Sequence, residues 1–123
     1  MRQILAGILL LMCVVMLGAV AAADNQMGIR DSYKVTFTHP VRVSDSLLPK
    51  GDYKILHVME GSNHIMVFEQ LGTKTPIEVR VKCTLVPLGE KAGRDEKVYT
   101  VNAENEFVLQ ELVFKGDLAR HVF

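Results

Sequence analysis

Residues 76–84 read Pro76-Ile77-Glu78-Val79-Arg80-Val81-Lys82-Cys83-Thr84, an alternation of apolar and polar side chains that is unbroken from Ile77 onward. Side chains two apart lie on the same side of a β-strand. Ile77, Val79, Val81 and Cys83 therefore form one apolar row, and Glu78, Arg80, Lys82 and Thr84 form the opposite, solvated one. A slip of one residue would expose all four apolar members, so the register is strongly specified. The row also assigns Cys83 to the interior as a small hydrophobe, in preference to a reactive or bridging thiol.

The same period spreads outward from this segment. Upstream, Tyr33, Val35 and Phe37 alternate with Lys34 and Thr36, and Val41-Arg42-Val43 resumes the pattern after His39-Pro40. Ser44-Asp45-Ser46 is a turn cluster. Tyr53 to Met59 and His64 to Gln70 read as a hairpin around Glu60-Gly61-Ser62-Asn63. Leu71 to Thr75 reads as the loop before the central strand. Downstream come a Gly-rich charged loop from Pro87 to Asp95 and a strand from Lys97 to Val101. Phe107 to Phe114 fits two patterns. A helix would be capped by Asn102 and striped by Val108, Leu109, Leu112 and Val113. The strand reading is preferred because the segment is short and rich in β-branched and aromatic residues. Lys115-Gly116-Asp117 then turns the chain into Leu118 to Phe123. The expected fold is all-β: a small antiparallel β-sandwich or barrel of about seven or eight strands, spanning 32–123 as one domain.

The chain begins differently. Met1-Arg2-Gln3 is short and basic, Ile4 to Val20 is an uncharged, mostly apolar run of 17 residues, and Ala19-Val20-Ala21-Ala22-Ala23 is a small-residue exit. That order predicts a helical secretory signal peptide over 1–23, cut after Ala23 or alternatively after Ala21. An uncut membrane helix is the competing reading, but the run is near the lower limit for a span. Met12 before Cys13 is too large for a lipidation site. Residues 24–31 read as a flexible lead-in. Cleavage would leave 100 residues and one cysteine, Cys83, so no disulfide could close within the mature chain. The expected location is the periplasm or the outside of the cell.

Composition excludes several classes. Of the 14 Lys and Arg, Arg2 would leave with the leader, so 13 face 14 Asp and Glu for a mature net charge of about −1. No basic block provides a nucleic-acid footprint. No second apolar run predicts a membrane span after cleavage.

The segment Leu48-Pro49-Lys50-Gly51-Asp52-Tyr53-Lys54-Ile55 has the form L-P-x-G-x-Y-x-V/I. It follows the Tyr33–Phe37 strand, and the chain closes with the apolar stretch Phe107–Gly116 and His121-Val122-Phe123. Together these resemble a group of small exported bacterial β-domain proteins of unassigned function. The resemblance implies a turn–strand module and a C-terminal strand pair; it carries no catalytic residues.

Catalytic templates are missing: there is no nucleophile elbow, no phosphate loop and no zinc-type spacing among His39, His57, His64 and His121. The paired carboxylates Glu104/Glu106 and Asp95/Glu96 lie in polar loops, where solvation is the expected role. The primary expectation is a non-enzymatic domain that needs no cofactor and binds a protein partner, a surface or a small ligand. One sharper alternative exists. If Met59 faces His64 and His57 faces Met66 across the hairpin, then His57, Met59, His64 and Met66 share a sheet face, with the two histidines diagonal to one another. Two imidazoles and two thioethers form a ligand set suited to copper.

Overall fold

The structure is a computed structural model, and it describes residues 29–123. The expected signal peptide, and the lead-in as far as residue 28, lie outside the described residues. Residues 29–31 are engaged with the domain. Ile29 packs against the core, the Arg30 amide donates to the Tyr33 hydroxyl at 2.9 Å, and the Asp31 carbonyl accepts from the His57 amide at 3.0 Å.

Nine strands follow in the described residues: β1 (Ser32–Phe37), β2 (Val41–Val43), β3 (Ser46–Leu48), β4 (Gly51–Glu60), β5 (Asn63–Gln70), β6 (Glu78–Pro87), β7 (Glu96–Val101), β8 (Phe107–Val113) and β9 (Ala119–Val122). The fold is all-β. Phe107 to Phe114 forms strand β8 and its following residue, not a helix; both sides of the strand find partners, so backbone pairing and burial favour extension over a short helix. The order is β1-β4-β5-β6-β9-β8-β2-β3, with β7 on the other side of β8. Every pairing is antiparallel except β2–β8, which is parallel and makes the sheet mixed.

Strand β6 joins the two halves. Its first part, Glu78 to Cys83, pairs with β5, and its last part, Thr84 to Pro87, pairs with β9. Between the halves lies one core, including Phe37, Tyr53, Ile55, Met66 and Phe68 from one side and Val41, Leu48, Leu109 and Leu112 from the other. Each such side chain, fully buried, contributes roughly 1.5–3 kcal/mol. Ile77 departs from the expected row. It precedes β6 and is 40% exposed, Val79 is half-buried, and the row is fully interior only from Val81 to Cys83.

The L-P-x-G-x-Y module has a local logic. Gly51 (φ 141°) opens β4 in a conformation that side chains disfavour, and Tyr53 then turns its ring inward and donates its hydroxyl to the Pro49 carbonyl at 2.6 Å. The β4–β5 hairpin closes around Gly61, whose φ of 62° suits the first central position of a type II′ turn. No helix among the described residues is long and apolar enough to cross a membrane.

Candidate metal centre

The hairpin register places His57 opposite Met66 and Met59 opposite His64. Because β5 also pairs with β6, His64 stands opposite Cys83 and Met66 opposite Val81. On the far side of β6, Leu85 pairs with His121 of β9. Leu85 and Cys83 are two apart on one strand and share a face. Four strands thus send His57, His64, Cys83 and His121 toward one end of the core.

The distances are short. His57, Cys83 and His121 can each offer one ligand atom such that all three lie within 4.8 Å of one another. His64 Nδ1 lies 3.2 Å from His57 Nε2, a hydrogen bond in which one ring donates and the other accepts. The His57 ring lies edge-on to that of His121, with centroids 5.8 Å apart. Met66 is fully buried on the same face, whereas Met59, near the hairpin tip, is half exposed. Of the four side chains read from the sequence, the structure brings His57 and His64 into contact, keeps Met66 in the interior below them and leaves Met59 at the surface.

Two donors were not legible as part of this set. The alternation of β6 places Cys83 in the core, where it is 6% exposed, and two imidazoles face it there. His121 had no partner in the linear pattern. The signal that could have found Cys83 is the register of the β5–β6 loop; for His121 it is the apolar alternation of the last strand, Ala119 and His121 inward, which places an imidazole in a core position.

The protonation states suit metal ligation. Burial, reinforced by the nearby His57 and His64, lowers the pKa of His121 to about 4. Burial, then the charge of His64, also lowers that of His57. Both rings are therefore neutral near pH 7 and keep a lone pair for a ligand. Burial pushes the Cys83 thiol up to about 11, so without a cation it stays protonated. A bound metal reverses that preference, because it stabilises the thiolate directly.

His121 carries the least ordinary feature. Its side chain is fully buried, and neither ring nitrogen has a hydrogen-bond partner. Buried polar atoms are nearly always paired, and leaving one unpaired costs about 1–3 kcal/mol. The nearest carboxylate, Asp117 Oδ2, is 3.6 Å from His121 Nε2, too long for a hydrogen bond and opposite a neutral ring. Asp117 is itself buried and accepts a 2.7 Å bond from the Tyr33 hydroxyl, with Arg30 3.7 Å away at the surface. Tyr33 stacks on Phe114, and both rings meet the His121 ring edge-on.

The loop carboxylates have structural partners instead. Glu106 accepts two bonds from Arg42, at 2.8 and 2.9 Å, and one from Asn102. The Arg42 bonds, helped by Asn102, hold its pKa down to about 2. Asp95 accepts from the Lys115 amide, and Glu96 pairs with Arg94.

Comparison of the chain with family models, with curated proteins and with solved structures returns no match. Its functional reading rests on these residues.

Proposed function

We propose that this chain is an exported, non-enzymatic β domain that binds one soft-to-borderline transition-metal ion, copper in preference to zinc, through His57, Cys83 and His121. The observation that carries the reading is the convergence of three donors, His57 half-buried and Cys83 and His121 buried, the last an imidazole with both nitrogens unpaired. In a tetrahedral site with metal–sulfur bonds of about 2.3 Å and metal–nitrogen bonds of about 2.05 Å, donors sit about 3.3–3.6 Å apart. The spread of at most 4.8 Å therefore contracts by about an ångström on binding, which side-chain rotation supplies. Thiolate and imidazole together suit Cu(I), Cu(II) or Zn(II), and copper leads the affinity order for such donors. The buried thioether of Met66, on the same face, adds a soft neighbour that favours copper further.

The test is an anaerobic titration of the purified protein with Cu(I), and separately with Zn(II), against a chromophoric chelator. One ion per chain is expected, held more tightly when it is copper. Replacing Cys83 by Ser or His121 by Phe should weaken binding by well over tenfold. Affinity unchanged in both variants would remove the proposal.

A further inference from the structure

An ion bound at these donors needs a path through the protein surface. His121 is fully enclosed and Cys83 nearly so, and the core side of the cluster is packed with Met66, Phe114 and Tyr33. One opening does reach the cluster. A cleft of about 290 Å³ at the hairpin end of β5 and β6 is lined by Asn63, His64, Lys82, Cys83 and Leu85, among others. His64 has a dual position. It is half-buried at this cleft, and its Nδ1 reaches His57 Nε2 at 3.2 Å.

We infer that this cleft is the route by which the ion is exchanged with outside donors and acceptors, and that His64 is the carrier imidazole between solvent and the His57–Cys83–His121 set, two of whose members are buried. The inference rests on the metal-binding reading and adds a function to it: a cargo site that loads and unloads, not a sealed structural one. Loading breaks the His64–His57 hydrogen bond. The freed His64 nitrogen takes the ion at the cleft and hands it to His57, and Cys83 then loses its proton as its sulfur binds. For Cu(I) one ion enters and one proton leaves, so charge and atoms balance without an oxidant; for Zn(II) the same exchange leaves the site with one added positive charge, and again no oxidant is needed. Unloading runs the same steps backward to any thiol- or imidazole-bearing acceptor that can present a donor at the cleft mouth.

A carrier and an ordinary ligand leave different kinetic signatures. A group used only along the path speeds arrival and departure equally and leaves the equilibrium alone, whereas a ligand chiefly slows departure. The experiment measures stopped-flow loading from, and extraction by, a chromophoric chelator, using Zn(II) and Cu(I) on the wild type, His64→Ala and Leu85→Trp. Leu85→Trp narrows the cleft and keeps every donor residue, but position 85 stands opposite His121 and beside Cys83, so its equilibrium affinity is measured together with its rates. Circular dichroism of each variant reports its fold. For His64→Ala both rates should fall about tenfold, equivalent to a barrier raised by roughly 1.4 kcal/mol, with the equilibrium affinity within a factor of about three. Leu85→Trp should slow both in the same way. Unchanged rates in both variants would overturn the route. Faster extraction with weaker affinity in His64→Ala would make His64 a ligand and overturn its carrier role. A wild-type protein that takes up no ion at equilibrium would instead sink the underlying metal reading, before any rate is compared.

Discussion

Metal affinity should rise steeply with pH, and Cys83 should be the cause. Near neutrality the two imidazoles already present lone pairs, since His121 titrates at about 4 and His57 below its ordinary value. The thiol does not, because burial holds it at about 11. Ion uptake between pH 7 and pH 9 must therefore expel one proton from sulfur, and log affinity should climb by about one unit per pH unit. That is about a hundredfold over the window. Holding the thiolate at pH 7 costs about 5 kcal/mol, four units at 1.36 kcal/mol each, well within the roughly 10–16 kcal/mol that structural zinc sites supply. Cys83→Ser should bind more weakly and with a flat profile, since a hydroxyl does not ionise in this range. The assay is competition against a chelator of known proton affinity at half-unit pH steps, with a reductant present for Cu(I). A flat profile in the wild type, or an equal slope in Cys83→Ser, would refute the assignment of sulfur as ligand.

Acid should unfold the metal-free protein through His121. Its folded pKa is depressed to about 4, so the unfolded chain binds the extra proton first, and stability is lost as pH falls from about 6.5 toward 4. The loss is about 3 kcal/mol at full extent, and denaturant melts of His121→Phe should show a shallower acid slope than the wild type. Tyr33→Phe keeps the stack on Phe114 but removes the 2.7 Å bond to buried Asp117. Urea midpoints should drop by an amount equivalent to about 1.5–3 kcal/mol, the range for a hydrogen bond to a charged group; no change would mean that Asp117 finds another donor. Gly61→Ala meets open space but keeps a φ of 62°, so the cost is backbone strain alone, about 1–2 kcal/mol, read as a lower midpoint at constant m-value.

The strands were legible because period two is written into β1, the start of β4 and most of β6, while β5 follows as the returning arm of a hairpin. The short β3 was not, since Ser46-Leu47-Leu48 has no alternation of its own and is extended only through pairing with β2. The parallel β2–β8 contact joins segments more than sixty residues apart, which local pattern cannot encode. The hairpin half of the cluster was visible because a tight turn fixes its register locally. Cys83 was hidden by a single residue. A five-residue loop ending at Thr75 would have set it beside Asn63, and the facing sides would not have matched. The observed loop runs through Pro76, closed by the Gln70 amide on the Ile77 carbonyl at 2.9 Å, and it sets Cys83 beside His64.

The position of Cys83 explains why the donors meet there. It is the last β6 residue paired to β5; from Thr84 onward the same strand pairs with β9. A strand that changes partners brings the side chains of both neighbours to one short stretch, so His57 and His64 arrive from the hairpin and His121 from the C-terminal strand. A core made only for stability would fill that junction with aliphatic side chains, as it does two residues away at Val81 and on β8 at Leu112. Three imidazoles and a thiol occupy it instead, one imidazole with both nitrogens unpaired at a cost of about 1–3 kcal/mol for each orphaned group. A domain with no second cysteine for an internal disulfide in the described residues has little stability to give up. Coordination of an ion by one of those nitrogens would remove the part of the penalty that falls on it and would tie the two halves of the sheet together at their shared strand.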